Sequence, residues 1–170
     1  METVETLIPD NEGNHLVVAL SFYDDSQKTD TFQIPQEFTG LEIADISIEK
    51  LDLDRPLGIR AFYKMCGWLI EQFMQFPNAV FSFICSTDPL ETNHTAIAPE
   101  QYRWNLFEAF YLRNIDRLSE LGIESKDIVV GPEGYQTFAR VFYRTTHAPV
   151  IHLVIAISIA SIINNPEGIV

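Results

Sequence analysis

The chain has 170 residues, 46% hydrophobic and 21% charged, which is enough apolar material for the core of one domain. It carries 24 acids against 11 bases, for a formal net charge of −13. That balance excludes nucleic acid as a general partner, because phosphate binding needs clustered Lys and Arg. The excess is also localised: residues 1–54 hold thirteen acids and two lysines, while residues 55–170 hold eleven acids and nine bases.

The first fourteen residues, METVETLIPDNEGN, lack the basic start and apolar centre of a secretory signal. They are expected to form a mobile acidic N-terminus ahead of a single α+β domain over 15–170. Cys66 and Cys85 lie in apolar segments, and two cysteines do not make a disulfide scaffold. Buried thiols fit a reducing compartment, so a cytoplasmic location is expected.

Taken in order, His15–Tyr23 (HLVVALSFY) reads as a strand, Asp24–Asp30 as a turn and Thr31–Ile34 as a short second strand. Leu41–Ile48 reads as a third, anchored by Ile43, Ile46 and Ile48, and the short gaps predict an antiparallel meander. A helix follows from Ile59 to Gln75. Phe62, Met65, Cys66, Leu69 and Phe73 form its apolar stripe, and Arg60, Lys64, Gly67, Glu71 and Gln75 its polar one. Pro77-Asn78 ends it.

Ala79–Cys85 (AVFSFIC) is nearly continuous in apolar residues, as in a strand covered on both faces. After a polar stretch over Ser86–Ala98, Pro99 opens a second helix running to Leu121, with Trp104, Phe107, Tyr111 and Leu118 on one face. Gly122 supplies the left-handed cap after it. Asp127–Val130 and Tyr135–Arg144 make a hairpin across Gly131–Gly134, with Phe138 and Arg140 facing one side, Val141 and Tyr143 the other. Ala148–Ile163 fits both a strand, by its alternating isoleucines, and a helix, by length and by the Ala156–Ala160 pair; length weighs toward helix. Sixteen apolar residues fall short of the roughly 20 that span a bilayer, so a membrane partner is not expected.

The predicted architecture is therefore α+β: a mixed, mainly antiparallel sheet in the order β-β-β-α-β-α-β-β, with a C-terminal apolar helix or strand. This order resembles the core of the GNAT acetyltransferase fold without its first strand and first two helices. The resemblance spans residues 15–144 as topology. In that family a phosphate-binding loop of the form Gln or Arg, two residues, Gly, one residue, Gly or Ala precedes the helix. Here the matching stretch is Arg55-Pro56-Leu57-Gly58-Ile59-Arg60. Arg55 and Gly58 match, Arg60 replaces the final small residue, and Pro56 removes a backbone donor.

The resemblance implies acetyl-coenzyme A as cofactor, its pyrophosphate held by Arg55, Gly58, Arg60 and Lys64. It also implies Tyr111 as the general acid and Glu49, at the end of the third strand, as the general base. Asn105 and Tyr111 stand one residue closer than the family pattern. The run FSFIC followed by YRWNLFEAFY is also similar to small bacterial protein families, which brings no activity with it.

The four histidines, His15, His94, His147 and His152, form no ligand motif, and neither Cys-x-x-Cys nor His-x-x-x-His occurs, so no metal is expected. No Gly-x-Ser-x-Gly elbow is present. Cys85, at a strand end, is the better placed of the two thiols for activation, but both fit small buried hydrophobes. The aromatic residues around the second helix, Trp104, Phe107, Phe110 and Tyr111, cover more than one face and suggest a homodimer to bury them. An acidic first third suits a basic protein partner and also suppresses edge-to-edge pairing. The expected function is a non-catalytic interaction or regulatory protein on a degenerate acetyltransferase-like scaffold, with no cofactor. The alternative is an acyl-coenzyme A-dependent N-acyltransferase.

Overall fold

The computed structural model describes residues 2–9, 15–28, 40–50, 58–85, 99–131, 136–153 and 155–156. Six strands form one mixed sheet: β1 (Glu2–Pro9), β2 (His15–Phe22), β3 (Glu42–Lys50), β4 (Ala79–Ile84), β5 (Ile123–Val130) and β6 (Thr137–Arg144). Their spatial order is β1-β2-β3-β4-β6-β5. Four α-helices interleave with them: α1 (Asp25–Gln27), α2 (Ile59–Gln75), α3 (Pro99–Arg113) and α4 (Ile115–Glu120). A 3-10 turn over Thr145–His147 leads into α5, helical at 148–153 and 155–156.

The chain is α+β with the element order roughly as expected: the strands expected at His15–Tyr23 and Leu41–Ile48 are β2 and β3, but an unexpected strand precedes them. Glu2–Pro9, expected to be an acidic tail, is the edge strand, antiparallel to β2 from Glu2↔Phe22 to Pro9↔His15. Its acids sit among inward Val4 and Ile8, while Thr3, Glu5 and Leu7 are exposed, so the alternation of a half-buried strand survives the charge. The expected strand Thr31–Ile34 lies outside the described residues. Asp24 caps a short helix where a turn was expected, through a capping box with Gln27.

The pairing β1-β2-β3 is antiparallel, β3 and β4 are parallel across the α2 crossover, and β4-β6-β5 is antiparallel. The β3–β4 register runs only from Glu42↔Ala79 to Asp45↔Ser82. At that last pair the Ser82 hydroxyl donates to Asp45 at 2.6 Å, and the Tyr23 hydroxyl donates to the same carboxylate.

Each face of the sheet has its own core. On one face the even residues of β2 and the odd residues of β4 meet α2, α3 and α4: Leu20, Phe81 and Phe83 pack with Met65, Leu69, Phe73, Phe110 and Phe142. On the other, Ile43, Val80, Val141 and Tyr143 are covered by Val150, Ile151 and Ile155 of α5. β4 is thus buried on both sides, as its apolar run predicts. The helix reading of 148–163 holds at 148–153 and 155–156, helped by Pro149 in the first turn; the rest lies outside the described residues.

The single helix expected from Pro99 to Leu121 is broken. Asn114 turns its side-chain amide back to the Phe110 carbonyl at 2.8 Å, and its own N–H is shared between the Phe110 and Tyr111 carbonyls. Asn competes with the helix in this way, and α4 starts afresh at Ile115. Gly122 then ends α4 with φ +69°, its N–H on the Ser119 carbonyl. The aromatics of α3 find their cover inside the chain: Phe107 and Phe110 are buried, Phe107 stacks on Phe83, and Trp104 and Tyr111 are half-buried against β6. They therefore do not require a second subunit.

His147, between β6 and α5, is partly buried, and its Nδ1 has no hydrogen-bond partner among the described residues. Burial first, and the Arg144 guanidinium second, hold its imidazole below the ordinary value. The folded state therefore prefers the neutral ring. Its contribution is present above the unfolded value of about 6.5 and is lost as pH falls from there toward the lower folded value. Urea unfolding of wild type and His147→Gln at pH 7.5 and pH 5 checks this: the variant loses less stability on acidification. Equal losses would show that the ring does not matter.

Candidate functional site

The residues expected to bind phosphate stand at the start of α2, with Arg55 outside the described residues. Gly58 is the N-cap, with extended backbone (φ −70°, ψ 147°) and no side chain to close the first turn. Arg60 is exposed, one turn before Lys64 on the same face. The Lys64 ammonium donates to the Pro9 carbonyl at 3.3 Å, which ties α2 to the end of β1.

The two expected catalytic residues are not brought together. Tyr111 lies on the helix-covered face, its ring against Phe142. Glu49 alternates out of phase with Ile46 and Ile48, which face the helices, so it projects from the opposite side of β3 and is exposed. No sulfur is poised either. Cys66 is buried on the inner stripe of α2, and burial pushes its thiol up to about 11. Cys85 is buried at the end of β4, its backbone N–H on the Phe138 carbonyl at 2.8 Å.

The concentration of buried charge lies instead on β6. Its inward side reads Phe138, Arg140, Phe142, Arg144, alternating ring and guanidinium. Arg140 is 2% exposed and paired with Glu108 of α3 and with Asp127 of β5, the latter at 2.6 Å. Its guanidinium carbon also lies 5.2 Å from the Trp104 ring centre and 5.5 Å from that of Tyr111.

Burial lowers the Arg140 guanidinium to about 10, with Cys85 pulling the other way, so it stays charged at neutral pH. Burial also raises the Asp127 carboxyl above its ordinary range, against the pull of the guanidinium. Arg140 Nε and Trp104 Nε1 are both buried without a hydrogen-bond partner among the described residues. With two carboxylates around one cation the cluster is net negative, so it is not an anion site; it joins α3 to the hairpin.

This cluster was only half legible in the sequence. The strand period places Phe138 and Arg140 on one side, but nothing in TFARVFYR says that this side is covered. Glu108 falls on the α3 face between Trp104 and Tyr111, four and three residues away. That spacing toward an arginine on an apolar strand is the one signal that points to the ion pair.

Compared with known proteins, the chain matches no family model, no curated protein and no solved structure. Among the described residues no group of three His, Cys, Asp or Glu side chains is placed to hold a metal ion. No described helix is long and apolar enough to cross a membrane.

A buried ion pair that has lost one member costs more than the pair is worth, because the remaining charge is stranded. Glu108 and Asp127 keep partial access to water. Arg140→Met is therefore expected to cost about 2–3 kcal/mol in urea unfolding, at or just below the roughly 3–5 kcal/mol of a fully buried pair. Adding Glu108→Gln and Asp127→Asn to that variant should restore most of the loss. A triple variant no better than the single would show that the methionine simply does not fit.

Proposed function

We propose that this chain is a non-catalytic interaction or regulatory protein of the cytoplasm, built on an acetyltransferase-like sheet, and that it presents the outer side of its helical layer to a partner. One observation supports this most. Of the eight exposed large hydrophobic side chains among the described residues, five lie on that layer: Ile59, Tyr63 and Met74 of α2, Leu112 of α3 and Ile115 of α4. Two of them are dressed by arginine, with the Arg113 guanidinium 3.9 Å from the Tyr63 ring centre and Arg117 Nη2 3.8 Å from the Met74 sulfur. Tyr, Met and Arg are the side chains enriched where proteins meet. The charge-bearing interior, by contrast, is spent on holding elements together.

The second reading is an acyl-coenzyme A-dependent N-acyltransferase, and a single observation favours it. The parallel β3–β4 register stops at Asp45↔Ser82 while β3 continues to Lys50, which leaves the far half of β3 unpaired on that side among the described residues. A slot between parallel strands beside the α2 N-terminus is what a pantetheine chain would need. In that reading Arg55, Gly58, Arg60 and Lys64 hold phosphate, Tyr111 protonates the thiolate and Glu49 takes the amine proton. The opposite-face placement of Glu49 and Tyr111 weighs against it.

A melting experiment separates the two, since a ligand that binds only the folded chain raises the melting temperature. With millimolar acetyl-coenzyme A the interaction reading expects no shift. A rise that Arg60→Glu abolishes would replace it with the acyltransferase.

A further inference from the structure

The outer face of α2 holds a residue that the fold of one chain does not explain. Gly67 sits in the middle of a 17-residue helix, where glycine costs stability relative to alanine. A Cβ built there would meet nothing within 4 Å, so no contact among the described residues requires its absence. At 3.6 residues per turn, Tyr63 and Glu71 lie one turn to either side of Gly67 on the same face, and Arg60 and Met74 lie two turns away. All five are exposed, as is Lys64 beside them. Tyr63 and Met74 form the edge toward α3 and α4, pinned by Arg113 and Arg117. Lys64 lies on the β1 side, on the Pro9 carbonyl. The face is therefore bare at its centre and bordered, on the side of α3 and α4, by two held apolar side chains.

Charge runs along it in one direction. On α2 itself the first half carries Arg60 and Lys64 and the second half Glu71, while the Arg117 beside Met74 is paired with Glu120 at 3.1 Å. Such a face is complementary to itself when reversed. An antiparallel copy related by a two-fold axis near Gly67 sets Arg60 and Lys64 of one chain against the Glu71 half of the other, twice over. The bare centre lets the two helix backbones approach closely at the crossing, which is the use of a small residue there. In a chain of net charge −13 two copies repel over most of their surface. The α2 face escapes this, because its bases outnumber its acid.

We propose that a second copy of this chain docks here, forming a two-fold homodimer through α2 with Gly67 at the crossing and Lys64 opposite Glu71 of the other copy. The proposal rests on the interaction reading and gives it a partner.

Sedimentation equilibrium on the full chain, from micromolar to high-micromolar concentration, tests it. Wild type should approach twice its 19.4 kDa mass. Glu71→Lys, which makes the contact wholly basic, should be monomeric, and Lys64→Glu added to it should restore the dimer, with unchanged far-ultraviolet circular dichroism in both. Gly67→Ala should weaken association by about tenfold or more while keeping the helix. A monomeric wild type overturns the proposal. So does a Glu71→Lys variant that remains dimeric, or a charge swap that fails to reassociate. None of these results touches the non-catalytic reading, which answers to the coenzyme A melting experiment.

Discussion

Arg144 gives one guanidinium to three main-chain carbonyls: Nη2 donates to Phe73 at 2.6 Å, Nη1 to Leu121 at 2.5 Å and Nε to Pro77 at 2.7 Å. Phe73 is in the last turn of α2, Pro77 is just beyond it, and Leu121 closes α4. Helix C-termini leave carbonyls without intrahelical donors and concentrate partial negative charge. A rigid fork of donors meets both needs for two helices at once. The same strand carries Arg140, which ties α3 through Glu108 and β5 through Asp127. Between the two arginines stands Phe142, fully buried and in ring contact with Phe73, Phe83, Phe110 and Tyr111. The helical layer hangs from four inward residues of β6.

This arrangement explains what the sequence shows and what it conceals. α2 is legible because both its stripes obey one period: Met65, Cys66, Leu69 and Phe73 are buried, while Arg60, Lys64, Gly67 and Glu71 are exposed. β4 is legible because a strand buried on both faces has nowhere to put a polar run. Gly122 is legible because a left-handed cap admits few other residues. The concealed features share a cause, which is that charge normally signals solvent. In β1 the acids mask an inward Val4 and Ile8. In β6 the arginines are on the helix side, Arg140 buried and Arg144 half-buried, where Glu108, Asp127 and carbonyls of neighbouring elements pair with them, and those partners are far away in sequence. The break at Asn114 is a local competition between an amide and a helix that residue-type periodicity does not register.

The same physics separates the interior from the surface in functional terms. The buried charges hold neighbouring elements in place, and the Cys66 thiol is pushed away from reactivity. The sequence-predicted acid and base, Tyr111 and Glu49, belong to opposite faces of the sheet. Among the described residues most of the exposed large hydrophobics lie on the outside of the helices, where α2 carries a bare glycine between Tyr63 and Met74 and a reversal of charge from Arg60 and Lys64 to Glu71. The strong acidity that first marks this chain lies in its first third, whereas the exposed face of α2 carries more bases than acids, which makes it the face on which the proposed dimer would form.

The claim beneath all of this is that β6 suspends the helical layer, and Arg144→Met tests it most directly. A methionine reaches about as far as the arginine Nε, so it keeps the apolar stem and removes all three donors. Because hydrogen bonds from a charged donor are each worth about 1.5–3 kcal/mol and these three share one side chain, the variant is expected to lose about 3 kcal/mol or more of unfolding free energy in urea. A variant within about 0.5 kcal/mol of wild type, the range of an ordinary surface substitution, would show that the helices are held by apolar packing alone.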